Sequence, residues 1–434
     1  MDHDNIRQLI EEKNIKWIQT HFTDLFGGLR VIHIPSDRFI KDDILNNGPG
    51  FDGSSVGLTG VEKSDLIAKP DPDTFLILPH EQQEARIIAD IYDTSPKPFK
   101  MDPRYILKKA VNNANNNGFD EIKISPEMEF FVLPKDFDKE FEDYGGNNSY
   151  FNPSPLDDAK EYRKKLSDYL QKSNYNVKYH HHENGKYQHE VEIKSLESIR
   201  AADFSVYFKF LAREVANQEN LKVTFIPKLM PNESGNGMHA HICLYNNGQN
   251  MFYDENDKYR LSQTARYFIG GIIKHAKGLA AISNPTVNSY KRLVPNYEAP
   301  VYIAWGEHNR SSLIRIAAKK SLDIEIRNAD SAANPYLFFA GLINSGLDGI
   351  KNKKEVPPIE KNIYAMKNKE IREYGIQKLP SNLYEAVEEF ENDEILRESL
   401  GKDMSEVYIT KKKQEFNRFI NEITDLDYEY YFDC

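Results

Sequence analysis

The sequence predicts an α+β protein of two domains, and three observations carry that prediction. Strand-like segments follow one another through hairpin-like turns while helical patterns are grouped separately, which favours a largely antiparallel arrangement over an alternating parallel sheet. The 434 residues exceed the roughly 250 to 300 that a single hydrophobic core serves. A polar, Pro-rich connector, "TSPKPFKMDPR", breaks the pattern near residue 101 and divides the chain into 1–101 and 102–434.

In chain order, an amphipathic helix from Ile6 to about Lys13 opens the first domain. The β-rich segments "IKWIQTHFTD" and "GGLRVIHIP" follow, then an extended "TFLILP" and a strand within "ARIIADIYD". Pro103 suits a first helical turn and starts a helix through "PRYILKKAVNNANN", whose Asn-rich end reads as fraying. Helical patterns at about 157–172, 200–218, 262–281 and 335–350 alternate with short strands. "LPSNLYEAVEEFENDEILRESLG" reads as a helix pair, and the aromatic tail "DYEYYF" is expected to dock on another surface. No repeat of 20 to 50 residues is present.

Composition narrows the partners. Hydrophobic residues at 40% and charged residues at 28% are ordinary for a globular chain. A net charge of -11 gives no electrostatic footprint for nucleic acid or an anionic membrane, which points to a small-molecule partner. Cys243 and Cys434 are too few and too far apart for a disulfide framework. The start "MDHDNIRQLI" has no secretory pattern, and no run of 18 apolar residues occurs, so the expected compartment is the cytoplasm.

The chemistry begins at "ISPEMEFFV". Period-two alternation turns Glu127 and Glu129 to the same face of an otherwise apolar strand, where two ionised carboxylates repel unless a cation or donor compensates. A wet acidic edge would satisfy that pair alone, but other segments add to it. "YHHHENGKYQHEVEIK" supplies Glu183 and Glu190, "GMHAHICLY" puts His239, His241 and Cys243 on one strand face, and "LDIEIRN" does the same for Asp323, Glu325 and Arg327. Taken singly, the histidine triplet fits a solvated edge, and His239 and His241 fit satisfied core imidazoles. Converging, the carboxylates and imidazoles suit a hard cation such as Mg²⁺ or Mn²⁺. One geometric condition applies. If Asn184 and Gly185 formed a two-residue hairpin turn, Glu183 and Glu190 would stand about 13 Å apart and could not share an ion. A wider loop over 184–187 is therefore required. Arg292, Arg310, Arg315 and Arg327 suit phosphate or carboxylate recognition, or ordinary pairing with the surplus acids.

The ordered motifs resemble the glutamine synthetase family nearly end to end: "GFDGSS" (50–55), "KPDPDTFLILP" (69–79), "SPEMEFF" (125–131), "HHE" and "QHE" (181–190), "GMHAH" (237–241), "NPTVNSYKRLVPNYEAP" (284–300), "NRSSLIRI" (309–316) and "EIRNADSAANPYL" (325–337). The resemblance implies an N-terminal β-grasp domain and a larger catalytic domain on a curved antiparallel sheet. It implies an ATP-dependent ligase that phosphorylates the γ-carboxylate of glutamate and lets ammonia displace the phosphate. One divalent cation would fall at Glu129, Glu183 and Glu190, and a second at Glu127, His239 and Glu325. Asp52, Ser55 and Tyr150 would form the ammonium site, with Glu298 receiving the proton. Arg292 and Arg327, with Ser234 and Gly235, would hold glutamate. His241, Cys243, Arg310 and Arg315 would serve ATP and its phosphoryl group. The family also implies a dodecamer of two stacked hexamers with active sites between subunits.

Several positions depart from the family pattern. Ser234 stands where Asn is usual, Lys178 where Glu is usual, Cys243 where Ser is usual and Asp323 where Arg is usual. Asn296 replaces a usual Gly in the flap, the stretch from Arg315 to Glu325 is about two residues short, and Gly60 occupies the place of a feedback-linked arginine. The insertion that carries a modifiable tyrosine in some members is absent. Retained Asp52, Ser55, Tyr150 and Glu298 favour ammonium as the acceptor. Ser234 and Asn296 keep open a γ-glutamyl ligase for a larger amine, and the nucleotide-site changes a weakly catalytic oligomeric regulator. The full set of metal ligands argues against the last.

Overall fold

The computed structural model describes residues 3–137, 149–295, 299–317 and 322–434. Two sheets organise the chain. The smaller runs in the order Leu29–Pro35, Trp17–Thr23, Glu84–Asp93, Asp65–Pro70, Gly50–Asp52, with Leu76–Ile77 also on Glu84–Asp93. Trp17–Thr23 and Glu84–Asp93 are parallel and the other pairs antiparallel. Helix His3–Glu12 lays Ile6 and Ile10 on this sheet, where they join Ile18, Ile34, Phe39 and Ile87 in a small core. The helix follows from its i, i+4 apolar spacing.

The larger sheet has eleven strands among the described residues. Its main path is Gln377–Lys378, Tyr302–Glu307, Ser312–Ile316, Ile324–Ile326, Ala240–Asn246, Glu121–Pro134, Gln188–Ile193 and Val177–His182. All its pairs are antiparallel except Tyr302–Glu307 with Ser312–Ile316. The expected helices form as Lys160–Lys172, Ser198–Gln218, Gln263–Ser283 and Pro335–Lys351, and the helix pair as Leu383–Glu391 and Glu394–Leu400. Two of them pack backbone to backbone: a Cβ on Gly271 would lie 2.1 Å from the Ser345 carbonyl oxygen, and one on Gly349 2.1 Å from that of Tyr267. Any side chain there would force the helices apart.

The two sheets join through ions as well as apolar contacts. Asp102 caps the Pro103–Asn116 helix and accepts the backbone N–H of Ile91 at 3.0 Å, tying helix to small sheet. Arg104, buried, binds Asp71 (2.8 Å), Asp90 (2.7 Å) and Asp203 (3.0 Å), and Asp203 also accepts from the Tyr336 hydroxyl. Three carboxylates around one guanidinium match its fork of donors.

The aromatic tail differs from expectation. It forms the helix Asp425–Tyr431, but Tyr428, Tyr430, Tyr431 and Phe432 stand exposed. The preceding helix Lys402–Asn421 buries nothing beyond Lys412, so the chain that follows runs past the surface that could cover it. Among the described residues no helix is long and apolar enough to cross a membrane.

A second ionic clamp joins three helices. His275 lies 2.6 Å from Asp393, which caps Glu394–Leu400, and 3.0 Å from Asp348 on Pro335–Lys351. Burial opposes its charge, but the hydrogen bonds to Asp393 and Asp348 outweigh burial and raise its pKa. A raised folded value means stabilisation that is complete below the unfolded imidazole pKa of about 6.5 and is lost as pH rises through the folded value. His275→Asn should therefore lower unfolding free energy by about 2 kcal/mol near pH 5.5, a charged-hydrogen-bond magnitude. The gap should narrow in alkaline buffer. Urea titrations of both proteins across pH measure it, and a constant gap contradicts a charged clamp.

Candidate active site

The Glu121–Pro134 strand changes partners midway. Residues 121–126 pair with Ala240–Asn246, and 127–131 pair with Gln188–Ile193, which sets Glu127 opposite Glu192 and Glu129 opposite Glu190. Facing like charges destabilise a strand pair, so this register is costly unless cations intervene. The loop condition is met: His182 pairs with His189, the Glu183 N–H donates to the Gln188 carbonyl at 2.8 Å, and the connection spans the four residues 184–187. That loop folds Glu183 back toward Glu190.

Ligand-type atoms gather in two groups that share no residue, each within 4.8 Å: Glu127, His239 and Glu325 in one, His181, Glu183 and Glu190 in the other. In the first, His239 Nδ1 lies 2.9 Å from Glu127, and Glu325 is held by Arg315 and, at 3.2 Å, by Arg327 Nε. In the second, His181 Nδ1 lies 3.5 Å from Glu183 and its Nε2 3.8 Å from Glu190. Glu129 lies against both groups, but its Oε2 accepts the Gly237 N–H at 2.7 Å and the Gln188 amide at 2.8 Å. In a third group, Glu127 with Glu192 and His241, the acids already have cationic partners: Lys178 pairs with Glu192, and His241 lies 2.7 Å from Glu127.

Electrostatics follow this layout. Burial first, then Glu127, Glu129, Glu183 and Glu192, push the Glu190 carboxyl well above its ordinary pKa. Burial acts the same way on Glu127, but His241 and His239 overcome it and hold Glu127 low. Burial opposes protonation of His241, yet Glu127 and Asp323 carry its pKa up to about 10. A cluster rich in carboxylate oxygens with one imidazole per group, in which neighbouring carboxylates raise Glu190, fits divalent hard cations.

Both ligand groups and Glu129 line a cavity of about 690 Å³ together with Tyr150, Arg310, Arg315 and Arg327. Arg292 is buried beside it, donating to the carbonyls of Asn328 (2.7 Å) and Ala329 (3.2 Å), and its side chain packs against Gly235, next to Ser234. Gly235 leaves no room for a Cβ, which would meet the Pro227 carbonyl at 2.2 Å.

Other expected residues lie elsewhere. His241 sits behind the cavity between Glu127 (2.7 Å) and Asp323 (2.9 Å). Cys243 is buried farther along the strand, its Sγ 2.9 Å from Asn250 Oδ1, and burial pushes the thiol up to about 12. Neither lines the cavity, because the strand face they share with His239 is covered by Asp323 and Asn250. Asp52, the exposed last residue of Gly50–Asp52, and Ser55 on the loop that follows are also outside it. There Asp52 accepts the Ser54 N–H (2.9 Å) and the Ser54 (2.6 Å) and Ser55 (2.5 Å) hydroxyls, which lower its pKa to about 2. Glu298 and Asn296 fall outside the described residues. Glu192 was not singled out in the sequence, although it sits two residues from Glu190 on the same strand face, and His181 entered only as part of the histidine triplet.

A small sheet beside a larger one whose central strands converge carboxylates, imidazoles and arginines on one cavity is the design of a metal-dependent enzyme acting on anions. Comparison with known proteins gives the family. Residues 14–94 match the family model "Glutamine synthetase, beta-Grasp domain" and residues 100–431 "Glutamine synthetase, catalytic domain". Glutamine synthetase of Thermotoga maritima is 40% identical over 99% of both chains, and that of Methanocaldococcus jannaschii 41% identical over 97% of this chain and 96% of its own. Among solved structures, a GmaS/ADP complex superposes with a TM-score of 0.91 at 30% identity, and Plasmodium falciparum glutamine synthetase with 0.89 at 26%, each over 99% of both chains. The chain belongs to the glutamine synthetase family.

Two linked outcomes test the acidic cluster. Mn²⁺ should raise the melting temperature over an EDTA control, because an ion that binds only the folded state stabilises it by mass action. Glu190→Gln should stabilise the EDTA-treated protein at neutral pH by on the order of 1 kcal/mol, by removing one repelling charge, and should shrink the Mn²⁺ increment. Identical melts with and without Mn²⁺ would exclude a metal centre.

Proposed function

We propose that the chain is an ATP-dependent glutamate–ammonia ligase acting through γ-glutamyl phosphate. The observation that carries this reading is the meeting of the two ligand groups with Arg310, Arg315 and Arg327 in one cavity, in a chain about 40% identical to glutamine synthetases along its whole length. Glu127, His239 and Glu325 would hold one divalent cation, and Glu183 and Glu190, with Glu129 or His181, a second. Mg²⁺ or Mn²⁺ bound there would supply positive charge to the phosphates of ATP and to the acyl phosphate.

The chain's own side chains divide the remaining work. Arg310 and Arg315 meet the transferring phosphoryl oxygens, and Arg292 and Arg327 the carboxylates of glutamate. Asp52, with Ser55 and Tyr150, binds ammonium. A carboxylate whose pKa is about 2 stays ionised and is a weak base, which suits it to holding a cation more than to taking its proton. The proton is assigned to Glu298.

Asp52 and Ser55 do not border the cavity of their own chain, which supports a site completed by the next subunit of a ring, with a dodecamer as the proposed assembly. The two free cysteines suit a cytoplasmic setting. A ligase for a larger amine is the second reading, resting on Ser234 and Asn296.

An amine panel separates the two. Phosphate release with ATP, glutamate and Mg²⁺ should give ammonium a kcat/KM at least about tenfold above methylamine, ethanolamine or putrescine, since an alkyl group leaves a buried acceptor unpaired. Asp52→Ala should raise the KM for ammonium steeply. An alkylamine that outpaces ammonium replaces the first reading with the second.

Arg310→Ala should lower kcat more than it raises the KM for ATP, as expected of a contact strongest in the transition state. Steady-state kinetics at varied ATP measure both parameters. An effect on KM alone assigns Arg310 to ground-state binding.

A further inference from the structure

A second cavity, of about 580 Å³, lies between the small sheet and the helices of the larger unit, away from the carboxylate site. Asp71, Phe75, Leu76 and Arg86 border it on one side, and Tyr175 and Arg200 on the other. Arg86, on the Glu84–Asp93 strand, is 3% exposed. Its Nη2 reaches the Tyr175 hydroxyl at 3.3 Å and its guanidinium carbon lies 4.5 Å from the centre of the Tyr207 ring. Its Nε and Nη1 have no hydrogen-bond partner, and among the described residues no carboxylate lies within ion-pair distance of it.

The acids inside this cavity are already engaged. Asp71 and Asp203 bind Arg104, and Glu197 accepts the N–H groups of Ile199 and Arg200 at the start of Ser198–Gln218. Asp73 is exposed at the rim. Among the described residues Arg86 is therefore a buried guanidinium without a counter-ion, an arrangement that favours an anionic partner. Arg200 stands at the opening, donating to the Asn174 carbonyl at 3.0 Å with its guanidinium 5.6 Å from the Tyr175 ring. Two guanidiniums flanking one aromatic ring, with Phe75 and Leu76 opposite, suit a charged head on a short apolar body.

We propose that this cavity is a binding site for a small organic anion, its carboxylate or phosphate head on Arg86 and its body on Tyr175, Phe75 and Leu76. The bound anion joins the two units of the chain, because Arg86 belongs to the small sheet and Tyr175 and Arg200 to the larger unit. The strand that carries Arg86 is hydrogen-bonded through Asp65–Pro70 to Gly50–Asp52, so occupancy bears on the strand that ends in Asp52.

The test uses the assembled full-length protein, with succinate and inorganic phosphate as separate probes in calorimetric titrations and thermal melts. At least one probe should bind the wild type saturably and raise its melting temperature, and the stronger probe identifies the head group. Arg86→Met should abolish that binding, and the surface variant Arg200→Ala, which does not disturb the core, should weaken it at least threefold. Arg292→Ala and Arg315→Ala, altered in the carboxylate cavity, should bind as the wild type does. The proposal is overturned if neither probe binds, if Arg200→Ala binds undiminished, or if binding is lost with Arg292 or Arg315. A change of oligomer size in Arg86→Met would also overturn it, by giving Arg86 a carboxylate of a second copy as its partner.

Discussion

The repulsion among Glu127, Glu129, Glu183, Glu190 and Glu192 is the constraint on which the centre of this protein is organised. Strand register sets Glu129 opposite Glu190 and Glu127 opposite Glu192, and burial removes the water that would screen them. Such a cluster persists only if positive charge or N–H donors surround it. The neighbouring elements supply both: His239 and His241 from Ala240–Asn246 and the residue before it, Arg315 and Arg327 around Glu325, Lys178 on Glu192, and the Gly237 N–H and Gln188 amide on Glu129. The resident charges stop short of neutrality at Glu190, whose raised pKa marks where a divalent cation has the most to gain.

Outside the centre, the same rule is applied with complete pairing. Arg104 is enclosed by three aspartates and His275 by two, and each clamp joins elements far apart in the chain. Buried ion pairs of this kind add little net stability over apolar packing, but losing one partner strands a charge, which makes the relative placement of the elements all-or-none. Arg104 sets the small sheet against the helices, and this placement opens the cavity at Arg86. Arg86 stands out against these clamps as a buried cation with no acid at ion-pair distance among the described residues.

Much of the site was legible in the residues. Alternation along "ISPEMEFFV" and "LDIEIRN" places the acids on one face, and the ordered motifs supply the family, because side-chain direction in a strand follows from period two alone. His181 and Glu192 obey the same rule and were passed over because a histidine triplet and a surplus acid look like solvent-facing groups when burial is unknown. The placement of Cys243 away from the cavity could not be read, since it depends on Asp323 and Asn250 arriving from distant segments to cover that face. The aromatic tail was expected to dock for its apolar character, yet the helix Asp425–Tyr431 leaves it exposed, because composition does not say which surface lies within its reach.

By itself the sequence determined the α+β class, the positions of the principal helices, the family, and which residue types carry the chemistry. These are consequences of local periodicity and composition. Tertiary structure alone decided the change of strand partner at Glu127, the wide loop that returns Glu183 to Glu190, the approach of His181 to both, and the burial of Arg86 without an acid among the described residues. Each depends on distances between segments tens to hundreds of residues apart, which packing and register set and no local pattern encodes.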